Sequence, residues 1–383
     1  MKKKILVLVI FMLSLCLALL SCSSDKEEEE NASEGLEYEL SSDGKSYIVK
    51  GFGSCQDKEL VIPGMYKSLP VTAIGENAFR DNMTITSVKL PSGLKSIGHG
   101  AFYCCYNLAG KMVLPNNEIT VGDFAFEGCS GLIYNSYDNG LYLGSSEKPY
   151  LVLMQAKDKY ITSCEINSEA RQIYTRAFSY CSELKSIKVP EGVVSIGTQA
   201  FEGCSSLMEL QIPNSVTRIG TGAFSFYPQA FNYNIYDNVK YIGNEENPYL
   251  VLVRANDKKQ TSFTINENAR FISDNAFNGC EQLTNIEIPN SVVSIESYAF
   301  GFCSNLTSIT IGNSVQFIGS CAFCGCKQLE SIIIPRSVTE IEPDIFYTAN
   351  FSLKIYCEAE SQPSGWNERW NSSNLRVIWG YKG

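Results

Sequence analysis

Cysteine and histidine are the residues that could give this chain metal or nucleophilic chemistry. The 383 residues include 15 cysteines and a single histidine, His99. Closely spaced cysteines are typical of zinc and redox sites, and Cys321-x-x-Cys324-x-Cys326 has such a spacing. No second C-x-x-C pair accompanies it in the sequence, so we predict no metal site and no other cofactor.

A second cysteine pattern is periodic and indicates structure. Seven cysteines each lie three residues after a recurring phenylalanine: Cys105, Cys129, Cys181, Cys204, Cys280, Cys303 and Cys326. Buried cysteine packs as a small apolar residue, so this pattern predicts a structural ladder of unbridged thiols. A disulfide framework is the alternative, and the sequence leaves open the redox states of Cys55, Cys321, Cys324 and Cys357.

Signatures of enzymes are weak elsewhere in the sequence. His99 lies in SIGHGAF, at a position expected to be exposed, and no G-x-S-x-G elbow accompanies it for a Ser-His-Asp site. Acidic residues are spread over variable positions, which offers no carboxylate pair for glycoside hydrolysis. Gly98, Gly197, Gly220 and Gly319 follow a recurring isoleucine, and we expect them to mark a backbone turn and not a phosphate loop. The sequence therefore predicts that the protein is not an enzyme.

The elements that must position these residues form a repeat, whose clearest copy is LTNIEIPNSVVSIESYAFGFC at residues 283–303. Its Leu-x-x-Ile-x-Ile segment is typical of a short strand with one buried face, which Pro289 ends by removing a hydrogen-bond donor. The phenylalanine recurs in steps of 23 or 24 residues, except for two steps of 52 and 53, at positions 79, 102, 126, 178, 201, 224, 277, 300, 323 and 346. A fixed period of this kind predicts a repeat solenoid.

These units resemble the leucine-rich repeats of BspA-like bacterial surface lipoproteins (Treponema/BspA type), whose units read LxxIxIPxxVxxIGxxAFxxCxx. The resemblance covers residues 37 to 383. It implies a right-handed superhelix of mostly short parallel strands with irregular or 3-10 outer segments, capped at both ends. The family is associated with adhesion to host matrix proteins and to other microbes, so the resemblance implies a similar role.

Two interruptions divide the repeat region, which we place at residues 60–346. Residues 133–160 and 232–259 each contain two apolar runs around a Gly-polar-Pro loop. Such a pattern predicts a β-hairpin insert, which we place on the side of the solenoid. The two inserts match each other, which indicates that a longer unit was duplicated.

The ends of the solenoid require covers, because an open end exposes both core and strand edge. Residues 37–59 contain Asp43-Gly44 between two alternating runs, which predicts an N-terminal hairpin cap. Residues 347–383 hold all three tryptophans and predict a C-terminal cap. A sugar-binding platform is the alternative for the tryptophans.

The N-terminus has the features of a targeting segment. Three lysines precede an apolar run, and the sequence Leu-Leu-Ser-Cys that ends at Cys22 resembles a lipobox. We predict a lipoprotein signal peptide at residues 1–21, lipidation of Cys22 and a disordered acidic tether at residues 22–36. An ordinary cleaved leader and an uncleaved anchor helix are the alternatives. The acidic run resembles the export signal of Bacteroidetes lipoproteins, which implies the outer-membrane cell surface, with a periplasm-facing location also open.

The charge of the chain limits its partners. The formal net charge is −10, and removal of the three N-terminal lysines leaves about −13. An acidic chain without a basic stripe is not expected to bind nucleic acid or anionic lipid. We therefore expect contact with the membrane through the lipid anchor alone.

Binding is expected on the solenoid surface, because the recurring residues of the repeat are predicted to be buried in the core and only the variable positions are left for a ligand. One candidate set consists of side chains between the buried strand positions, which form a polar column on the sheet face: Lys89, Glu165, Lys188, Gln211 and Glu287. A second set consists of tyrosines that the inserts would display in duplicate: Tyr142, Tyr150, Tyr241 and Tyr249. These tyrosines could instead pack each hairpin down.

The sequence thus predicts a non-catalytic surface binding protein or adhesin whose ligand is a host matrix or microbial surface protein. A glycan-binding component of a carbohydrate-uptake system and a structural envelope protein are the alternatives.

Overall fold

A computed structural model describes residues 32–115, 119–225 and 231–383. This part of the chain consists of short β-strands and turns, and no helix in it is long and apolar enough to cross a membrane. The predicted signal peptide, Cys22 and most of the tether lie outside the described residues. The described residues form two compact units, and each unit is a β-solenoid. Unit 1 comprises the described residues up to Met154 with Glu169–Thr175, and unit 2 comprises Gln155–Ser168 and Arg176–Gly383.

Unit 1 is built from strands that pair between successive coils. Its strands are β1 (Glu37–Leu40), β2 (Tyr47–Gly51), β3 (Glu59–Val61), β4 (Met65–Tyr66), β5 (Leu69–Ile74), β6 (Ser87–Lys89), β7 (Ser96–Ile97), β8 (Ala109–Lys111), β9 (Thr120–Val121), β10 (Gly131–Ile133), β11 (Asn135–Tyr137), β12 (Gly140–Leu143), β13 (Val152–Ala156) and β14 (Gln172–Ile173). One sheet has the order β1-β2-β5-β7-β9, with β4 also paired to β5. The strands β3 and β6 pair, β8 and β10 pair, and β11 to β14 pair in chain order.

Unit 2 repeats this arrangement. Its strands are β15 (Ser186–Lys188), β16 (Ser195–Ile196), β17 (Glu209–Gln211), β18 (Arg218–Ile219), β19 (Asn234–Tyr236), β20 (Val239–Ile242), β21 (Val251–Ala255), β22 (Phe271–Ile272), β23 (Asn285–Glu287), β24 (Ser294–Ile295), β25 (Ser308–Thr310), β26 (Phe317–Ile318), β27 (Ser331–Ile334), β28 (Glu340–Ile341), β29 (Lys354–Cys357) and β30 (Arg376–Trp379). The longest sheet has the order β19-β20-β21-β22-β24-β26-β28. The smaller sheets are β15-β17, β23-β25 and β27-β29-β30, and β16 pairs with β18.

The three-residue strands arise from the Leu-x-x-Ile-x-Ile segments. In β15, β23 and β25 the central isoleucine is buried and its two neighbours are exposed, because alternate side chains of a strand point to opposite faces. The strands are parallel and in register, so that Ile187 lies beside Leu210, and Ile286 beside Ile309. Each ladder therefore places a column of branched apolar side chains inside its solenoid.

The recurring phenylalanines form a second internal column. The rings of Phe277 and Phe300 have centroids 5.2 Å apart, those of Phe300 and Phe323 are 5.8 Å apart, and both pairs are nearly parallel at 9°. All three rings are fully buried. Burial of a side chain of this size contributes roughly 1.5–3 kcal/mol, so each phenylalanine adds to the stability of the stacked coils.

The outer segments, predicted as irregular or 3-10, are a ladder of linked turns. In the described coils the residues two before and two after the recurring phenylalanine have positive φ, as Tyr298 (56°) and Phe302 (57°) do around Phe300. Successive N–H groups alternate between two kinds of acceptor. The Phe300 N–H donates to the Ala322 carbonyl of the next coil (2.8 Å), and the Gly301 N–H donates to Tyr298 within its own coil (2.9 Å). The outer backbone is thus hydrogen-bonded as regularly as the strands.

The glycines that follow the recurring isoleucine are explained by a lack of room for a side chain, and not by a turn conformation. Gly98, Gly220 and Gly319 are not among the residues with positive φ. A Cβ at Gly319 would lie 2.5 Å from the amide nitrogen of Ser297, and one at Gly98 would lie 2.7 Å from that of Glu76. The expectation that a backbone turn requires these glycines is therefore corrected: the backbone of the preceding coil passes too close for a side chain.

The inserts are three-stranded and enter the ladder. In the second insert β19 pairs antiparallel with β20, and β20 with β21. The last strand, β21, then pairs in parallel with β22 of the following coil, as β13 does with β14 in unit 1. The inserts were expected beside the solenoid, but the final strand of each one occupies a rung of the ladder.

Polar side chains replace the main-chain hydrogen bonds that the inserts interrupt. In unit 1 the Gln172 side-chain amide donates to the Val121 carbonyl (2.5 Å) and accepts from its N–H (3.1 Å). The Tyr174 hydroxyl accepts from the Phe126 N–H (2.8 Å). In unit 2 the Asp274 carboxylate accepts from the Gly222 N–H (3.1 Å). These partners are 48 to 52 residues apart, which matches the two long steps in the period.

The predicted caps coincide with a hairpin and a tryptophan cluster. At residues 37–59, β1 and β2 form an antiparallel hairpin, and β2 pairs in parallel with β5. Near the C-terminus Trp366 and Trp370 are buried, with ring centroids 5.0 Å apart. The Trp366 Nε1–H donates to the Val338 carbonyl (3.0 Å), and Trp370 lies edge-on to Phe346. Burial leaves these two tryptophans unavailable as a sugar-binding platform.

Candidate functional site

The polar column of the coil strands lies at the surface. Each candidate residue follows by one position a residue that is turned inward, which is Val88, Cys164, Ile187, Leu210 or Ile286. Lys89 belongs to unit 1 and the other four candidates belong to unit 2. All are exposed except Gln211, which is half-buried: Lys89, Glu165, Lys188, Gln211 and Glu287. Register places Lys188 beside Gln211, and Glu287 beside Thr310. Neighbours in a β-ladder are about 4.8 Å apart, so each of these two ladders presents its pair of side chains at a short fixed interval.

The column is chemically mixed and has no single charge. Lys188 is a cation and Glu287 an anion, and the Gln211 side-chain amide donates to Glu209 (2.9 Å) on the same strand. Threonine hydroxyls line the adjacent row, where Thr307 donates to the carbonyl of Thr284 (2.9 Å). Such a surface suits contacts with the mixed polar groups of a protein.

The insert tyrosines do not form the display that the sequence suggested. Tyr142 and Tyr241 are both fully buried, so their prediction as surface binding residues is corrected. The Tyr241 hydroxyl accepts from the Asn266 N–H (3.1 Å), and burial raises the pKa of Tyr241 well above its ordinary value. Asn266 stands where most coils have proline, which has no N–H to donate. The tyrosine hydroxyl and the residue that replaces proline therefore belong to one part-buried contact.

The remaining two tyrosines of this set are half-buried. The ring of Tyr150 lies edge-on to Tyr142 with centroids 5.5 Å apart, and Tyr249 lies edge-on to Tyr241 at 5.4 Å. Edge-to-face pairs of this kind contribute about 0.5–1.5 kcal/mol beyond the area they bury. Packing of the inserts therefore accounts for most of the area of all four tyrosines.

The seven periodic cysteines are buried free thiols, two in the column of unit 1 and five in that of unit 2. The Cys105 thiol donates to the Phe79 carbonyl (3.0 Å), and the Cys204 thiol donates to that of Phe178 (3.1 Å). In both pairs the acceptor is the phenylalanine of the preceding coil. Burial raises the pKa of Cys204 to about 12, with a smaller contribution from Cys181. A thiol with such a pKa stays protonated near neutral pH, so this column does not supply nucleophiles.

The C-x-x-C-x-C segment is divided between two roles. Cys321 and Cys324 form a disulfide, with Cα atoms 4.7 Å apart, whereas Cys326 is a free thiol that donates to the Phe300 carbonyl (3.2 Å). No group of three or more metal-ligating side chains is present in the part of the chain that the structure describes. The disulfide joins the residue two before the recurring phenylalanine to the residue one after it, across a single outer turn.

His99 is exposed and contacts an aromatic ring. Its imidazole lies edge-on to Phe124, with ring centroids 5.6 Å apart. Its main-chain carbonyl accepts from the Asn77 N–H (2.9 Å). These contacts fit an ordinary surface position in a coil.

A buried acid that was not among the predicted site residues lies at a position that is glycine in most other coils. Glu296 follows its isoleucine as Gly319 does in the next coil, and it is 3% exposed. Its carboxyl group accepts a short hydrogen bond from Ser294. Burial raises the pKa of Glu296 to about 8; the Ser294 bond lowers it, and the nearby charges of Glu342 and Asp274 raise it. A charged residue in the glycine position was the signal available from sequence.

Two exposed aromatic rings of the outer turns were also missed. Tyr180 (62% exposed) and Phe302 (51% exposed) both have positive φ, which costs a non-glycine residue about 1–2 kcal/mol. A Cβ at Gly203 would lie 2.7 Å from the Tyr180 ring, and one at Gly325 would lie 2.7 Å from the Phe302 ring. Each ring therefore lies against a glycine of the next coil and exposes its other side.

Comparison with protein families gives a specific match. The family described as the BspA type leucine rich repeat region matches in six copies, over residues 50–146, 156–246 and 255–361. None of the curated proteins with which the chain was compared matches it significantly.

Solved structures with similar folds come from bacterial leucine-rich repeat proteins. A leucine rich cell surface protein from Faecalibacterium prausnitzii is 24% identical, with 92% of this chain and 94% of that chain covered and a TM-score of 0.34. A leucine-rich repeat protein from Bacteroides ovatus is 21% identical, with 90% and 98% covered and a TM-score of 0.28. The leucine rich repeat protein of T. pallidum is 20% identical, with 77% and 88% covered and a TM-score of 0.24. Family membership rests on the repeat match and not on these superpositions.

Proposed function

The chain belongs to the BspA-type leucine-rich repeat family, and we propose that it is a non-catalytic adhesin of the bacterial cell surface. The observation that carries this proposal is the polar strand surface of unit 2, where Lys188 and Gln211 pair on the β15-β17 ladder, and Glu287 and Thr310 pair on the β23-β25 ladder. A rigid ladder holds side chains in place before binding, which lowers the entropy lost on association. The ligand class that fits such a chemically mixed polar surface is an extended protein surface of host matrix or of another microbe.

The binding role is tested on the mature chain. Immobilised matrix proteins and whole host cells are probed with the wild type and with the double variant Lys188→Ala, Glu287→Ala. A matched control replaces two exposed charges outside the column, in Lys95→Ala, Glu281→Ala. We expect the column variant to bind at least about tenfold more weakly, which corresponds to ~1.4 kcal/mol, and the control to bind as wild type. Absence of wild-type binding to every matrix protein and cell type would refute the adhesin role.

Anchoring to the outer membrane through a lipid on Cys22 is part of the same proposal. The supporting observation is the lipobox-like sequence with its preceding apolar run. Metabolic labelling with palmitate should mark the wild type and not Cys22→Ala. Protease added to intact cells should degrade the protein if it faces outward, and full protection would place it on the periplasmic side.

A glycan ligand is the second candidate, and the exposed rings of Tyr180 and Phe302 favour it. Aromatic faces beside polar groups are suited to stacking against sugar rings. A glycan array probed with the wild type and with Tyr180→Ala, Phe302→Ala separates the two candidates. Sugar binding that is lost in this variant, together with intact matrix-protein binding, would assign the rings to a separate function.

A further inference from the structure

Two cations face each other across the strands of the second insert. Lys240 of β20 and Arg254 of β21 are direct partners in the antiparallel register. Like charges at paired positions of a sheet destabilise it. The chain as a whole is acidic, with a net charge of −10, so the two adjacent cations form a local basic feature on an acidic protein.

Both cations are half-buried against one aromatic ring. The Lys240 Nζ lies 5.1 Å from the centroid of the Tyr233 ring, and the Arg254 guanidinium carbon lies 5.9 Å from it. Burial lowers the pKa of Lys240, and the charge of Arg254 lowers it further. The ring stabilises the cations where they are, since cations are attracted to an aromatic face within about 6 Å. The two charges are therefore positioned side by side.

The acids nearest to the pair in sequence are directed at main-chain amides. Asp237 accepts from the Thr264 N–H (2.5 Å), and Asp257 accepts from the Lys259 N–H (2.9 Å). Asp257 thus stabilises its own turn, and Asp237 joins the insert to the coil that follows it. The first insert has Leu141 and Gln155 at the positions of Lys240 and Arg254. The cation pair is consequently a property of the second insert and is not needed to build an insert.

An open strand edge lies beside the cations. Within the described residues β19 is the first strand of its sheet and pairs with β20 alone, and all three of its residues are exposed. Ile235 of β19 is the register partner of Lys240 and is 57% exposed. One row therefore runs from a free edge through an exposed apolar side chain to two cations.

We propose that the edge of β19 in the second insert binds an extended acidic segment of a protein partner by strand addition. The added strand would pair its main chain with β19 and place a carboxylate toward Lys240 and Arg254. Adjacent strands are about 4.8 Å apart, so the added strand lies two strand spacings from Lys240, a distance that a glutamate and a lysine side chain span together. Exposed edges are established sites for strand addition, in which main-chain bonds give affinity and side chains give specificity.

The proposal rests on the surface-binding function and names its ligand class. The probe is a fluorescein-labelled decapeptide that alternates glutamate and valine, titrated against the full mature chain by fluorescence anisotropy. We expect binding that weakens with added salt and falls at least about tenfold in Lys240→Leu, Arg254→Gln, which copies the first insert. The reciprocal variant Leu141→Lys, Gln155→Arg controls for folding and should add a second site for the peptide.

Two altered probes test the geometry. A peptide with lysine in place of glutamate should not bind, because it presents like charge to the cation pair. A peptide with N-methyl groups at alternate residues should also lose binding, because it cannot pair along a strand. Equal binding of either altered peptide, or no effect of Lys240→Leu, Arg254→Gln, would overturn the proposal.

The last probe in this binding experiment is an oligosaccharide that contains glucuronate. Cation-dependent binding of the oligosaccharide without binding of the peptide would assign the pair to an acidic glycan and overturn strand addition. Matrix-protein binding that survives in Lys240→Leu, Arg254→Gln would leave the proposed function intact while removing this site from it. Failure of the two proposals is therefore distinguishable.

Discussion

Replacement of Glu296 by glutamine is expected to remove a large part of the pH dependence of stability. Glu296 is buried in the position that other coils give to glycine, and its pKa is raised to about 8 from an ordinary value of 4.5. Glutamine keeps the shape of the side chain and its hydrogen bond with Ser294 but has no proton to lose. The variant therefore isolates the ionisation of one carboxyl group.

The sign and size of the effect follow from the two pKa values. Below pH 4.5 the Glu296 carboxyl is protonated in both the folded and the unfolded chain. Between pH 4.5 and about 8 the unfolded chain loses this proton and the folded chain keeps it, so the free energy of unfolding falls by ~1.4 kcal/mol per pH unit. Above pH 8 the full loss, about 5 kcal/mol, has been reached.

Urea denaturation of the wild type and of Glu296→Gln between pH 4 and pH 9 measures this effect. The stability difference in favour of glutamine should grow with pH through this window and then level off. Glu287→Gln is the matched control, because this carboxyl belongs to the same coil but is exposed. A difference between Glu296→Gln and wild type that stays constant across the window would refute the assignment of a neutral buried carboxyl.

Three further predictions concern the core. Tyr241→Phe removes the acceptor of the part-buried Asn266 N–H and should lower the free energy of unfolding by about 0.5–1.5 kcal/mol, measured by urea denaturation. Gly319→Ala forces a Cβ against the preceding coil and should destabilise by roughly 1–3 kcal/mol, whereas Gly93→Ala, in open space, should be within ~0.5 kcal/mol of wild type. Among the free thiols of the described residues only that of Cys104 is partly exposed. A chromogenic disulfide reagent should therefore titrate this thiol quickly, and the fast reaction should be absent in Cys104→Ser. Rapid reaction of the ladder thiols would contradict their burial.

Much of the fold could be predicted from periodicity. The phenylalanine spacing predicted the coils, and the thiol three residues later was expected in the core, where it donates to the preceding coil's carbonyl. The match to the BspA-type family confirms the repeat type. These predictions succeed because each coil must bury the same face against the next, so one pattern is repeated along the chain.

The surface could be predicted less well, since exposure depends on where an insert packs. Tyr142 and Tyr241 were expected at the surface because tyrosine is amphipathic, yet both lie in the core. Their hydroxyl groups can be buried when a partner is supplied, as Asn266 does for Tyr241. No local pattern reveals such a partner 25 residues away.

By itself the sequence determined the repeat, its period, its core columns and the positions of its interruptions, because these depend on side-chain type at fixed intervals. The tertiary structure alone decided which residues meet across coils. Gln172, Tyr174 and Asp274 replace hydrogen bonds lost at the inserts, and Lys240 and Arg254 become neighbours by strand register. Contacts of this kind join residues that are far apart in the chain, and only folding brings their polar atoms within bonding distance.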